Sequence, residues 1–214
     1  MKWPGERRAD HRVVHQVASL LLSYPDAAMF SKIGLVRAAL DEIESEATTG
    51  PLRRFLDHLA STDHVALGRE YAEVFDLSSK RTLYLSYWTD GDTRRRGAAL
   101  GEFKQLYRDS GFLVDLGGEL PDHLPIVLEF CARADPVVGV EVLTRYRVAI
   151  ELIRFGLLDR GTPYANVLES VSATLPGAPP ADRKAALAMR PPIPVETVGL
   201  EPFDRRLLPI AGTR

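Results

Sequence analysis

Apolar residues recur along most of this chain at intervals of three and four, the spacing that places them on one face of an α-helix. Val13, Val17, Leu20, Leu21 and Tyr24 make the first stripe, from about Asp10 to Tyr24, and Pro25 stops it. A second helix is predicted from Ala27 to Glu46, with Ile33, Val36, Leu40 and Ile43 inward, until the TTGP stretch at residues 48–51 breaks it. Pro51 is expected to open a third, because proline in a first turn loses no intrahelical bond. Its inward residues are Leu52, Phe55, Leu56 and Leu59. A fourth helix carries Leu67, Tyr71, Val74 and Phe75. A turn at Asp90 and Gly91 and a cap at Asp92 or Thr93 lead into a fifth, which runs to about Ser110 with Leu100, Phe103, Leu106 and Tyr107 inside. The sixth starts within GELPDHLPIVLEFCA, residues 118–132. The seventh, from about Val138 to Leu158, has the longest continuous pattern, and the eighth carries Tyr164, Val167, Leu168, Val171 and Leu175.

These stripes predict an all-α fold: a single bundle of about eight helices over residues 1–175. From Pro176 to Arg214 the composition changes, with eight of the fifteen prolines in that stretch and room for one short helix at residues 181–190. This reads as a proline-rich tail. Its Ile193, Val195, Val198, Leu200, Phe203, Leu207 and Leu208 suggest that part of it lies extended along the bundle.

The entrance to the sixth helix is the most informative stretch. Asp122 can cap it by accepting from the Leu124 N–H, Pro125 suits the first turn, and Leu124, Val127, Leu128 and Cys131 form one buried face. Capping leaves Glu119 and His123 unexplained. They are either ordinary polar residues at a solvated helix entrance or an acid/imidazole cluster at the lip of a groove. Upstream, residues 83–88 alternate like a strand but have no second strand to pair with, so an extended or single-turn connector is expected. Its Tyr84, Tyr87 and Trp88 either plug the core or line a binding surface. Arg94, Arg95 and Arg96 sit at the positive end of the fifth helix, an unfavourable place for cations, as solvated surface or as a contact for an anionic ligand or partner.

A net charge of -2 gives no reason to expect nucleic acid. No apolar run approaches the ~20 residues of a membrane helix, and the start MKWPGERRADHR lacks the apolar segment of a secretory signal, so a cytoplasmic protein without stable membrane insertion is expected. Cys131, the one cysteine, reads as a buried reduced thiol. His11 and His15, four apart, read as polar-face histidines without the third ligand of a metal site. The sequence has no phosphate loop, dinucleotide fingerprint, nucleophile elbow or CxxC. No enzyme activity and no bound cofactor or metal are expected.

Four ordered motifs carry a family resemblance: EYAEVFDL (70–77), LYLSYWTDGDTRRRG (83–97), FKQLYRDSGF (103–112) and ELPDHLPIVLEF (119–130), with LLLSYPD (20–26) matching more weakly. Together they resemble the NarJ group of nitrate reductase chaperones, within the wider TorD-like family of molybdoenzyme maturation proteins. The tail matches none of these motifs. The resemblance implies a TorD-like helical fold and a chaperone, not an enzyme, that binds the immature catalytic subunit of respiratory nitrate reductase. It would recognise that subunit's N-terminal peptide and keep it competent for molybdenum cofactor insertion. The acid/proline/aspartate/histidine signature of the family falls on Glu119, Pro121, Asp122 and His123.

An aromatic groove with acids at its lip suits an amphipathic basic peptide. The expected groove is framed by the fourth, fifth and sixth helices and the connector, with Tyr71, Phe75, Tyr84, Tyr87, Trp88, Phe103, Tyr107, Glu119, Asp122 and His123 as its residues. Two alternatives stand beside it: a helical interaction module for another partner, and a nucleotide-dependent enzyme using His123 with Glu119 or Asp122 and Arg94–Arg96 for phosphates.

Overall fold

The computed structural model describes residues 4–91 and 93–190. The expected tail contacts from Ile193 to Leu208, and Asp92 as a cap, lie outside the described residues. The chain is all-α there: α1 (Pro4–Leu21), α2 (Ala27–Phe30), α3 (Ile33–Asp41), α4 (Glu46–Ser61), α5 (His64–Tyr71), α6 (Leu85–Asp90), α7 (Arg94–Asp109), α8 (Leu124–Arg133), α9 (Pro136–Arg145), α10 (Arg147–Arg160), α11 (Tyr164–Thr174) and α12 (Arg183–Ala188). A π-turn at Ala72–Asp76 extends α5, and a 3-10 turn spans Ser79–Arg81.

The helices exceed eight because the second and seventh predicted helices each divide in two, the connector folds as α6 and the stretch after Pro176 contributes α12; the start of the third also moves. The second predicted helix is two, α2 and α3, with Ser31 and Lys32 turning between them. Pro51 does not open a helix but lies inside α4. The residue before a proline normally avoids the helical region because its Cβ meets the proline ring. Gly50 has no Cβ, so the helix runs through. The long seventh helix breaks at Tyr146, which leaves helical geometry at φ -94°, ψ 16°. No glycine or proline marks that break. The Tyr146 ring lies 5.2 Å from that of Phe103.

The core is built on α1, which packs along α8 and α11, while α11 packs along α4 and α10 against α11, α6 and α12. Val14, Val17, Ala18 and Leu21 of α1, with Leu22 just after it, are buried against Leu124, Val127, Leu128 and Cys131 of α8 and Val167, Leu168 and Val171 of α11. Each such side chain contributes about 1.5–3 kcal/mol through apolar burial. The break in composition at Pro176 is where the chain turns onto α10. The buried Arg147 donates to the carbonyls of Pro176, Gly177 and Ala178, and Arg154 to that of Pro180. Their charges meet Glu151, which is fully buried, lies 2.7 Å from Arg154 Nε and accepts from the Ser172 hydroxyl.

His15 is not a polar-face histidine. It is 1% exposed, because α1 presents it to the seam with α8 and α11. The Thr174 hydroxyl donates to Val171 O at 2.7 Å, so it accepts from His15 Nε2–H at 2.8 Å, which leaves Nδ1 to accept from the Cys131 thiol at 3.1 Å. This arrangement requires neutral partners. Burial, with a smaller push from His11, lowers the imidazole pKa to about 3, and burial raises that of the thiol to about 12. Cys131 is thus an inert structural thiol. Backbone approach closes the seam: a Cβ at Gly139 of α9 would fall 2.5 Å from Cys131 Cα.

A folded-state pKa near 3 against 6.5 unfolded means that the unfolded chain binds the proton more readily between those values. Stability from His15 is complete above pH 6.5 and falls as pH drops toward 3, by about 2 kcal/mol at pH 5. Urea unfolding at pH 7.5 and pH 5.0 checks this: His15→Gln should show a clearly smaller loss between the two pH values than wild type.

Candidate functional site

The connector and the α8 entrance form one unit. The Leu85 N–H donates to Asp122 O at 3.1 Å and the Leu124 N–H to Leu83 O at 2.9 Å, giving an isolated antiparallel bridge between Tyr84 and His123. This bridge decides what Asp122 does. The Leu124 N–H, the donor expected for Asp122, is already taken, and the residue at the α8 N-cap is His123. The Asp122 carboxylate turns across to α6 instead, where Oδ2 accepts from the Ser86 N–H at 3.0 Å and the Ser86 hydroxyl at 2.6 Å. Asp122 therefore caps the helix before it in the chain. It is fully buried and cannot stand at a groove lip, and its Oδ1 has no hydrogen-bond partner among the described residues. The Tyr107 hydroxyl fixes the neighbouring carbonyl of Pro121 at 2.6 Å.

Around this latch the predicted site residues separate. Phe75, Phe103 and Tyr107 are at most 8% exposed and belong to the core, while Tyr71, equally buried, also lines the cleft that Glu119 and His123 face. Tyr84, Glu119 and His123 come together: the Tyr84 hydroxyl donates to the Glu119 carboxylate, and the Tyr84 and His123 rings lie 5.2 Å apart. Tyr87 and Trp88 turn to the other side of α6, beside Lys80, Arg81, Arg160 and Arg183. Arg94 and Arg95 are exposed, while the half-buried Arg96 guanidinium lies 5.7 Å from the Tyr84 ring centre and 5.8 Å from that of Tyr87. Such cation–π contacts place at least one member of the basic run in structure rather than in open solvent.

Glu119 and His123 face an open cleft of about 620 Å³ between the end of α1, the turn after α5, the 110–123 loop and α8. Four carboxylates line it, Asp76, Asp115, Glu119 and Glu129, with no Lys or Arg among its lining residues. Tyr24, 56% exposed, stands at its edge. Asp115, Ile126 and Glu129 are shared with a smaller hollow of about 350 Å³ that adds Phe112, Leu113 and Val114. Phe112 is 54% exposed and Leu113 fully so. At that end Glu129 pairs with Arg133 at 2.7 Å, which leaves Asp76, Asp115 and Glu119 as the main source of negative potential. The cleft thus joins an acidic wall to an exposed apolar strip, complementary in charge and polarity to a basic amphipathic chain.

Helical periodicity could not reveal Tyr24, Asp76, Phe112, Leu113, Asp115 or Glu129 as cleft residues. The available signal was GFLVDLGG at residues 111–118, three consecutive apolar residues in a glycine-bounded stretch with no helical pattern.

The acid/base pair of the enzyme alternative does not assemble: Asp122 is occupied by Ser86, and Glu119 holds the Tyr84 hydroxyl. Burial lowers the His123 pKa, and the nearby Glu119 and Asp122 charges oppose that shift. The imidazole is therefore neutral at pH 7 and charges only on acidification, at a lower pH than an exposed histidine. Among the described residues, no group of three metal-binding side chains forms and no helix is long and apolar enough to cross a membrane.

The architecture is that of an all-α bundle protein with an acid-lined cleft, and the comparisons supply the family. A family model described as "Nitrate reductase delta subunit" matches residues 40–137. A Bacillus subtilis protein described as a nitrate reductase molybdenum cofactor assembly chaperone, NarJ, is 32% identical over 166 residues, covering 78% of this chain and 90% of the relative. Nitrate reductase-like protein NarX of Mycobacterium tuberculosis strain H37Rv is 39% identical over 162 residues, or 76% of this chain. The chain spans about a quarter of that protein, with 24% of NarX covered. A crystal structure described as a redox enzyme maturation protein from Archaeoglobus fulgidus superposes with a TM-score of 0.57 at 25% identity, covering 75% of this chain and 90% of that one. This chain belongs to the nitrate reductase delta subunit family, with the NarJ chaperones.

The sign of the His123 shift is testable by NMR. The imidazole titration midpoint should lie below 6.5, and Glu119→Gln, by removing a charge that favours the protonated ring, should lower it further. A midpoint above 6.5, or one raised by Glu119→Gln, would contradict the assigned electrostatics.

Proposed function

We propose that this protein is a chaperone for assembly of a respiratory nitrate reductase, binding the immature catalytic subunit through its N-terminal peptide while molybdenum cofactor is inserted. The observation that carries this reading is the cleft, in which three largely unpaired carboxylates face an exposed apolar strip at Phe112 and Leu113. The names of its relatives support the choice of partner. The protein acts by binding and release, in the cytoplasm, without a catalytic step or a cofactor of its own.

The division of labour follows from the chemistry of the two walls. An amphipathic basic segment would lay its apolar face on Phe112, Leu113 and Ile126 and direct its cations toward Asp76, Asp115 and Glu119. Tyr84 and His123 set the position of Glu119 and the floor beneath it, and the buried Asp122, Tyr107, Phe103, Tyr71 and Phe75 hold that floor in place. Apolar anchors at the centre of such an interface carry most of the affinity, while exposed rim charges steer the encounter and fix orientation. Salt screens the second contribution and leaves the first. The peptide would therefore be held at cellular ionic strength and still released when the mature subunit withdraws it.

Calorimetry with a synthetic N-terminal peptide of the catalytic subunit tests this at low and high salt. Phe112→Ala and Leu113→Ala should each cost about 2 kcal/mol, roughly thirtyfold in affinity, at both salt concentrations. Glu119→Gln should weaken binding several-fold at low salt and little at high salt. Unchanged affinity in both apolar variants would place the site elsewhere on the bundle. Absence of binding by wild type would leave a helical interaction module with a different partner.

A further inference from the structure

Beside α6 lies a second recess, of about 660 Å³, between the 3-10 turn at Ser79–Arg81 and the C-terminal half of α10. Its floor is a close approach of two backbones: a Cβ at Gly156 of α10 would fall 3.2 Å from the Lys80 carbonyl oxygen. Tyr87 and Trp88 form an aromatic wall. Both rings are half-buried and held in place. The Trp88 indole N–H donates to Thr82 O at 3.0 Å, the two rings meet edge to face at 6.2 Å, and the Arg96 guanidinium lies 5.8 Å from the Tyr87 ring centre. Rings fixed in this way can cover a ligand at little ordering cost.

Lys80, Arg81, Arg160 and Arg183 line the remainder, with Asp159 as the one acid among the lining residues. Asp159 pairs with Arg183 at 2.7 Å, and Glu73 lies 3.5 Å from Arg160. Both pairs are half-exposed, so each is weak and leaves its arginine able to take another carboxylate. Arg81 directs Nε to Val74 O at 3.0 Å, a carbonyl that solvates its charge without neutralising it, and Lys80 is exposed. Arg190 adds a cation next to the wall, donating to the Trp88 carbonyl at 3.0 Å. The recess is therefore net positive on a chain whose formal charge is -2.

The form of this site narrows its occupant. A concave recess does not fit a flat bilayer. The cations come from three separate elements, and α10 turns its C-terminal end, the negative end of the helix dipole, toward the recess, which disfavours the concentrated charge of a phosphate group. Carboxylates spaced along a chain, each beside its own cation, match such a lining, and the aromatic wall between them offers an apolar anchor point.

We propose that this recess docks an acidic segment of a partner protein, in which an apolar or aromatic side chain packs on Tyr87 and Trp88. Asp or Glu residues flanking that anchor pair with Lys80 and Arg81 on one side and with Arg160 and Arg183 on the other. The site is opposite in charge to the acidic cleft, and the inference does not depend on what that cleft binds.

NMR of the full-length chain tests it through the Trp88 indole N–H signal. The probe is a capped peptide of Glu residues around a central Phe. At low salt it should shift that signal saturably, with a dissociation constant of about a millimolar or below. Replacing its Phe by Gly should weaken binding about tenfold, through loss of the anchor. Lys80→Gln/Arg183→Gln, which changes two exposed positions, should weaken it about fivefold. A peptide with Gln in place of every Glu should leave the signal where it is. A Trp88 signal that the Glu peptide does not move would overturn the proposal, as would equal binding by the Gln peptide or equal affinity in the double variant. Pyrophosphate binding more tightly than the peptide would also overturn it, by assigning the recess to a phosphate ligand, and so would vesicles of phosphatidylglycerol that broaden the Trp88 signal where the peptide leaves it unchanged.

Discussion

The Asp122 carboxylate, buried between the start of α6 and the entrance to α8, is the contact on which the cleft depends. A six-residue helix such as α6 cannot hold itself together in water, because fixing its first turn costs more than its few hydrogen bonds return. It persists because Asp122 accepts from the Ser86 N–H and hydroxyl while its own carbonyl accepts from Leu85. The same residue anchors the end of the 110–123 loop, which carries Glu119, Asp115 and the exposed Phe112 and Leu113. One wall of the cleft and the connector behind it are thus set by a single side chain. An acid in a fully buried position is tolerated only with strong hydrogen bonds, and that requirement gives the latch a unique geometry.

Other buried polar groups follow the same logic at a distance from the cleft. Glu151 collects Arg154, Arg147 and Ser172, and the two arginines use their remaining donors on the carbonyls of residues 176–180. His15, Cys131 and Thr174 form a neutral chain that joins α1, α8 and α11. In each case a buried polar contact crosses from one helix to another, Ser172 of α11 to Glu151 of α10 and His15 of α1 to Thr174 of α11 and Cys131 of α8, which specifies how the helices pack as well as that they pack. The frame that results leaves a cleft lined by carboxylates and a separate recess lined mostly by cations.

Much of the fold is legible in the sequence, because three-four spacing reports burial directly; the stripes of α4, α8 and α11 are the observed core, and that of α1 is so in part, with Val17 and Leu21 buried and Tyr24 exposed. Several of the errors come from interactions between residues far apart in the chain. Spacing assigned Asp122 to the nearest free N–H, on Leu124, whereas its partner is Ser86, across a bridge that no local pattern encodes. Pro51 reads as a helix start unless the missing Cβ of Gly50 is taken into account. Nothing at Tyr146 signals the break there. His15 looks polar until α8 and α11 are placed around it. At the site, sequence singled out Glu119, His123 and the aromatic connector, but aromatic content alone could not separate core rings such as Tyr71 and Phe103 from surface rings. The exposed apolar strip has no periodicity at all, and burial or exposure at such positions is decided by tertiary structure.

The central claim is that Asp122 and Ser86 act together to hold α6 against the α8 entrance. A double-mutant cycle of Asp122→Ala and Ser86→Ala, read by urea unfolding, measures that coupling. Removing either partner already breaks the hydroxyl–carboxylate contact, so the account predicts that the double variant loses less stability than the two single losses combined, by a coupling energy on the order of 1–3 kcal/mol. Additivity within about 0.5 kcal/mol would show that the two side chains act independently and would contradict the account.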